Sequence, residues 1–567
     1  MAKTIAIGIQ DFAELRMQDL FYIDKTSFIK DWWQSGDVVT LITRPRRFGK
    51  TLNLSMVNTF FSTEYAGRGE ELFEGLDVWN DESMRSHQGT WPVVFMSFAG
   101  IKYKDFDSTR KAINSLIAQI YADLKKNVGY DKLSYTIKGK FDRVSEDMDD
   151  VDAAMSINNL CGMLENRYGK KCIVILDEYD TPMQEAWVGG FWDEMVSYTR
   201  ALFNNTFKTN SHLSRGLMTG ITRVSKESIF SDLNNLNVIT TTSNEYAASF
   251  GFTEEEVFKA MTSQGIDTSM QKGVKEWYDG FTFGNVSDIY NPWSITNYLK
   301  KGEFKTYWAD TSGNGLVEKL LRTGNGKTKG MFEDLLKGDS IDVPIDEEII
   351  FSQIADDEDS IWSLLVASGY LKVCKITSVA PDRYHKEPVY TLTLTNLETH
   401  LMFEKMVKRW FSTGDSLSPF VKAMLKGDIR EMNSYMNRIA LNTFSSFDTG
   451  THASATEPER FYHGFVLGLM VEKASDYMIK SNRESGFGRY DVIMEPIDIK
   501  NAAVIMEFKV IDREYEGEKD LNDTAANALK QINDKRYDTD LIARGIPTER
   551  ILKYGFAFEG SKCLIVK

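Results

Sequence analysis

Two groups of residues in this 567-residue chain have the types and spacing that phosphate chemistry requires. The first is Arg44-Pro45-Arg46-Arg47-Phe48-Gly49-Lys50-Thr51, which follows the β-branched run Val38 to Thr43 and precedes apolar residues at Leu54, Val57 and Phe61. Strand, loop and helix in that order make a phosphate-binding loop. Backbone N–H groups at the helix start surround the phosphates, the lysine neutralises them and the hydroxyl holds Mg²⁺. Gly49, Lys50 and Thr51 supply the last three positions, but Arg44 stands where the full pattern has its first glycine. Gly-Lys-Thr also begins ordinary helices, so this loop needs support from elsewhere in the chain. The second group is Asp491, Glu507 and Lys509, an acid followed after a gap by Glu-x-Lys inside an apolar run.

Support for the loop comes from two further runs. Cys172 to Leu176 is apolar and ends in Asp177-Glu178, which predicts a strand that brings Asp177 to Mg²⁺ and Glu178 to an attacking water. Its plain alternative is a solvated strand end. Gly216 to Thr222, followed by Arg223, predicts another strand, with Thr219 or Thr222 as a γ-phosphate sensor and Arg223 as a cationic finger. Three pieces in the right order favour nucleotide binding over coincidence.

In the second group, residues two apart on a strand face the same side, so Glu507 and Lys509 project together while Phe508 packs inward. Asp491, at the start of a neighbouring strand, can join Glu507 on one Mg²⁺, with the Phe508 carbonyl as a further oxygen ligand. Such a metal lowers the pKa of its water, and Lys509 would orient or deprotonate that nucleophile. A β-hairpin with an exposed Glu507–Lys509 ion pair is the bland alternative.

The segments Phe21-Tyr22-Ile23-Asp24-Lys25-Thr26, Arg44 to Thr51, Leu176-Asp177-Glu178-Tyr179-Asp180-Thr181-Pro182, Thr219 to Phe230 and Tyr290-Asn291-Pro292-Trp293-Ser294 together resemble a bacterial family of AAA-ATPase-like proteins. In that family the Arg-Pro-Arg-Arg-Phe-Gly-Lys loop is the normal form, so the resemblance implies that Arg44 is a family trait. The C-terminal residues resemble the PD-(D/E)xK nuclease-like domain often fused to that family. There Glu459 lies on an upstream segment, Ser481 to Asp491 leads into the first acid, and Ala528-Leu529-Lys530-Gln531-Ile532 lies downstream. This second resemblance implies that Glu459 is an additional acid near the metal and Gln531 a polar helper. The first acid follows Tyr490 where the signature has proline.

The elements that must position these groups read as an α/β multidomain chain. Strands are expected at 38–43, 93–98, 172–177 and 216–222, with helices such as 109–126 and 155–168 between them. That alternation predicts a mainly parallel sheet with helices on both faces. The expected division is an AAA-ATPase-like P-loop domain over 1–250, a mainly helical, winged-helix-like lid over 251–400, a helical connector over 401–450 and a PD-(D/E)xK nuclease-like domain over 451–567. Thr253-Glu254-Glu255-Glu256 opens the second region with an N-cap and an acidic first turn.

Weaker features have two readings each. His463 approaches a phosphate or is a packed helix residue. Trp277, Tyr278, Phe281 and Trp293 stack bases or fill a core, and packing is the commoner fate. Asp356-Asp357-Glu358-Asp359 reads as a solvated loop. Arg483 and Arg489, just before Asp491, are candidates for phosphate contact.

The composition is that of a folded globular protein, and four scattered cysteines with no Cys-x-x-Cys pair suggest neither a disulfide framework nor a zinc site. No apolar run approaches the roughly 20 residues that span a bilayer, so a cytoplasmic location without membrane insertion is expected. A net charge of −15 restricts any nucleic acid to a local groove. The expected function is a nucleotide-controlled, Mg²⁺- or Mn²⁺-dependent nuclease acting on DNA in preference to RNA, with ATP as the controlling ligand and room for an oligomer. Two competing readings are an ATP-binding switch whose nuclease fold binds without cutting, and an ATPase acting on another protein.

Overall fold

A computed structural model of the chain describes residues 2–222, 229–230, 233–309, 317–318, 320–321, 326–346, 360–377, 388–411, 419–443, 476–485, 488–513, 517–559 and 562–567. They cluster into two compact units, one of residues 1–313 with 342–399, the other of residues 314–341 with 400–567. Among the described residues no helix is long and apolar enough to cross a membrane.

The first unit is built on strands β1 (Val39–Thr43), β2 (Val93–Ser97), β3 (Cys172–Asp177), β4 (Leu213–Gly220) and β5 (Leu236–Ile239). They form one parallel sheet in the order β2-β3-β4-β1-β5. All five residues of β1 and all six of β3 are buried, as expected for strands covered on both faces. Alternation explains the two layers. Ile42, Ile173, Ile175 and Leu217 join a core with Leu54, Val57 and Phe61 of the helix Lys50–Phe61. Cys172, one residue out of step, instead meets the carbonyl of Cys161 on the helix Asp150–Tyr168 at 3.5 Å. The helices therefore lie on both faces, as the sequence pattern predicts.

Two small sheets complete the unit. One joins β6 (Phe252–Thr253), β7 (Phe281–Phe283) and β8 (Val286–Tyr290) in the order β6-β8-β7. The other joins β9 (Ile341–Pro344), β10 (Leu371–Thr377) and β11 (Val389–Leu394) in the order β10-β11-β9. Thr253 closes the expected N-cap as a full capping box with Glu256. The buried Lys25 ammonium, from the 21–26 segment, reaches the same Glu256 at 2.6 Å and the Ala248 carbonyl at 2.8 Å.

The second unit carries β12 (Tyr477–Ser485), β13 (Gly488–Pro496), β14 (Ala503–Val510), β15 (Ile551–Glu559) and β16 (Lys562–Val566) in sequential order. Only β14 and β15 run parallel, and the helix Leu521–Asp534 lies in the crossover between them. Val504, Met506 and Phe508 face a core with Phe420, Met424, Met432 and Met436 of the helices Pro419–Lys426 and Ile429–Thr443. Ala503 and Ile505 face Ile532 and Leu541 on the opposite side. The crossover helix approaches closely because Ala525, Ala528 and Gly555 are small. A Cβ at Gly555 would lie 2.4 Å from the Ala525 carbonyl oxygen and 2.9 Å from the Leu529 nitrogen.

Two predictions follow from this packing. Gly555→Val must push the helix Leu521–Asp534 off the sheet, at a cost of about 1–3 kcal/mol or more. Faster amide exchange along that helix checks it; unchanged exchange contradicts the packing argument. In the first unit, burial and then the neighbouring Asp288 raise the pKa of Asp279 from 3.8 to about 7. Because the folded value lies above the unfolded one, its contribution to stability is complete below the unfolded pKa and is lost as pH rises through the folded one. Unfolding titrations from about pH 4 to pH 7 should show this loss in wild type and a flatter profile in Asp279→Asn.

Candidate functional sites

The loop Arg44 to Gly49 leaves the C-terminal end of β1 and opens the helix Lys50–Phe61. Gly49 takes the left-handed conformation at φ 77°, and Arg47 does so at φ 66° without glycine's freedom. The loop thus turns sharply twice before the helix N-terminus, where partial positive charge attracts anions. Lys50 is buried, and its ammonium donates to the carbonyls of Arg44 and Pro45 at 2.9 Å each. Burial lowers its pKa against the pull of Glu178, Asp177 and Asp180.

Arg44, at the position of the missing glycine, is fully buried. Its guanidinium donates to the carbonyls of Thr43 at 2.9 Å, Thr240 at 2.6 Å and Glu245 at 3.4 Å, and lies 4.8 Å from the Phe283 ring centre. Burial brings its pKa down to about 9. Arg46 donates to the Gln184 side-chain oxygen at 3.4 Å, and Arg47 is exposed, its guanidinium 4.4 Å from the Trp293 ring centre. Pro45 packs on Gly369, and Phe48 is buried edge-on against Phe281 and Phe283. The three arginines therefore occupy three different environments.

Strand β4 lies between β1 and β3, and Asp177 bridges that gap. Its Oδ2 accepts from the Thr51 hydroxyl at 2.8 Å, and its Oδ1 from the Thr219 hydroxyl at 2.7 Å. Ser97 at the end of β2 adds a weaker contact at 3.4 Å. Burial raises the Asp177 pKa, while the two threonine hydroxyls oppose that rise. A carboxylate and a hydroxyl drawn together are the hard oxygen donors that Mg²⁺ prefers, so Thr51 and Asp177 fit the ion. Glu178 follows in a left-handed conformation at φ 50° and accepts from the Thr181 hydroxyl at 3.3 Å.

Asp180 escaped the sequence reading. Its buried Oδ2 accepts from the amides of Ile221 and Thr222 at 3.0 Å and from the Thr222 hydroxyl at 2.9 Å. It fixes the end of the strand that carries Thr219. The only sequence signal was a third acid, three residues after Asp177. Arg223 lies outside the described residues.

In the second unit, Glu507 is 4 % exposed and its Oε1 accepts from the Gln531 side-chain amide, which also donates to the Tyr537 hydroxyl at 3.3 Å. The strand and the crossover helix thus bring together two residues 24 positions apart in sequence. The β13–β14 register pairs Val492 with Met506, and one further step sets position 491 opposite position 507. Lys509 is half-buried, two residues beyond Glu507. Near it is Glu518, which the sequence reading also missed. Burial alone would raise the Glu518 pKa, but Thr524, the Asp512 amide, Asn527 and the Lys509 charge hold it below the usual range. Its oxygens accept from the Asp512 amide at 2.9 Å and from Asn527 at 2.8 Å. For Asp491, Arg483 and Arg489 only the backbone is described, and Glu459, His463 and the 356–359 acids lie outside the described residues.

Elsewhere, one oxygen from each of Glu254, Asp279 and Asp288 falls within 4.8 Å of the others. The Lys275 ammonium already sits there, 2.5 Å from Glu254 and 3.3 Å from Asp288. Tyr278 and Phe281 are buried, and Trp277 stacks on Phe304, so these aromatics pack against protein.

Over 562 residues the chain is 25% identical to "Uncharacterized protein in vnfD 5'region" of Azotobacter chroococcum mcd 1, covering 96% of this chain and 95% of that one. The model of the AAA-ATPase-like family described as "Predicted AAA-ATPase" matches residues 6–230, and that of the PD-(D/E)XK nuclease superfamily matches residues 457–567, so the chain is similar to a predicted AAA-ATPase in its N-terminal part and to the PD-(D/E)XK nuclease superfamily at its C-terminal end.

Proposed function

We propose that the protein is a nucleotide-controlled, metal-dependent nuclease in which ATP bound at Arg44–Thr51 governs phosphodiester cleavage at Asp491, Glu507 and Lys509, with DNA as the preferred substrate. The observation that carries this reading is the buried Glu507 carboxylate, oriented by Gln531 and set in register with position 491. A buried acid whose orientation is set by a side-chain amide suits a metal ligand.

Glu507, Asp491 and the Phe508 carbonyl would hold Mg²⁺ or Mn²⁺, which supplies an acidified water and charge neutralisation when bound. Lys509, on the same strand face, orients the attacking water and balances charge on the phosphate. Gln531 keeps Glu507 from rotating. In the first unit, Lys50 and the helix N-terminus bind the phosphates, Asp177 and Thr51 take the Mg²⁺ of Mg·ATP, and Glu178 stands next to Asp177 to orient water. Arg44, whose guanidinium is buried against protein carbonyls, braces the loop rather than meeting the phosphates.

Two experiments test this. Cleavage of labelled DNA and RNA with Mg²⁺ or Mn²⁺ should fall about a hundredfold or more in Lys509→Ala, the usual scale for losing a proton-handling group. Equal residual cleavage in both proteins would sink the nuclease mechanism, and RNA cut faster than DNA would reverse the substrate preference. Lys50→Ala should weaken ATP binding about tenfold or more, ~1.4 kcal/mol, and abolish the ATP response of cleavage. A Lys50→Ala protein that responds to ATP as wild type does would refute control through this loop.

A further inference from the structure

The carbonyl of Arg46, in the middle of the phosphate loop, is held by two donors from distant sequence. The Trp308 indole N–H donates to it at 3.0 Å, and the Asn291 side-chain amide at 3.4 Å. Both arms converge on one carboxylate. Trp308 continues through its own backbone amide, which donates to Glu398 Oε1 at 2.7 Å, flanked by the amides of Tyr307 and Ala309. Asn291 caps the helix Pro292–Lys301 by accepting from the Ser294 amide at 3.2 Å, and the Ser294 hydroxyl donates to Glu398 Oε2 at 2.8 Å. Each Glu398 oxygen closes one arm.

Glu398 is 0% exposed and has no reason to be an acid for packing's sake. It lies in the first turn of the helix Leu397–Phe411, which Asn396 caps by accepting from the Thr399 amide at 3.0 Å. Residues 342–399 belong to the first unit and those from His400 to the second, so one of the chain's crossings out of the nucleotide-binding unit falls in this helix.

We propose that Glu398 is a positioning residue that couples occupancy of the phosphate loop to the helix Leu397–Phe411. The inference rests on the nucleotide-controlled reading above and names its route. The differential lies in Lys50. Its ammonium donates to the carbonyls of Arg44 and Pro45, the two residues preceding Arg46. A bound phosphate competes for that ammonium and releases the two carbonyls. The Arg46 carbonyl, next in the chain, then shifts against Trp308 and Asn291, and both displacements reach Glu398. A ligand moves an equilibrium only through such a difference between states.

The test uses the full chain with Mg²⁺ and a non-hydrolysable ATP analogue, comparing wild type, Glu398→Gln and Trp308→Phe. Gln keeps the size of Glu398 but cannot accept at both ends, and Phe keeps the ring of Trp308 without its donor. Calorimetry measures binding, and hydrogen exchange reads the amides of 307–309 and 397–411 with and without the analogue. In wild type the analogue should change exchange along 397–411 by about threefold or more, and in both variants that change should vanish while the affinity stays within about threefold of wild type. The ratio with and without ligand is a readout that a purely structural role does not move. Wild-type exchange that ignores saturating analogue, or variants that transmit as wild type does, would overturn the coupling. No analogue binding to wild type would overturn it together with the nucleotide reading. An intact exchange response without DNA cleavage would overturn the nuclease reading alone and leave the coupling supported.

Discussion

One buried carboxylate, Asp177, gathers the parts of the candidate nucleotide site. Its two oxygens take a hydroxyl from the helix that follows the phosphate loop and another from β4, and Ser97 reaches it from β2. The constraint is geometric, since β1 and β3 are not neighbours and the loop cannot meet the acid without spanning β4. Burial makes an acid here costly in its charged form, and hydroxyl donors offset part of that cost. Asp180 repeats the device three residues later for the residues that follow β4, so two acids of a single turn fix the end of the strand on which Thr219 sits.

The sheet of the first unit was legible because buried strands advertise themselves. Cys172–Asp177 matches the expected range residue for residue, and β1 and β2 differ from theirs only by a terminal residue. The helix Asp150–Tyr168 starts five residues earlier than its apolar pattern suggested, because its polar first turn is capped by Asp149. The short strands β6, β7 and β8 were not legible. Two to five residues with a register shift carry too little periodicity to stand out among turns.

The sites divide in the same way. That Gly49, Lys50, Thr51 and Asp177 come together could be read from spacing, because their juxtaposition is set by the backbone that holds them. Gln531 and Glu507 lie too far apart for spacing to link them, and only the resemblance to a nuclease-like domain pointed to the glutamine. Asp180, Glu398 and Glu518 act through hydrogen bonds to backbone amides of other segments. No local pattern encodes such a bond, since its partner is chosen by the fold. The aromatic residues around 277–293 illustrate the reverse: a pattern that invited a ligand is explained by packing, with Trp293 lying under Arg47.

Arg44 bears on how such a loop can change over time. Its guanidinium fills a space walled by Phe250 and Phe283 and satisfies carbonyls of Thr43, Thr240 and Glu245. Restoring the glycine of the common phosphate loop would leave that space empty and those carbonyls short of donors. A glycine there would therefore cost stability unless the aromatic wall and the 240–245 turn changed with it. The loop and the wall behind it form one heritable unit, and a loop transplanted without its wall would arrive with a charge and no place to put it.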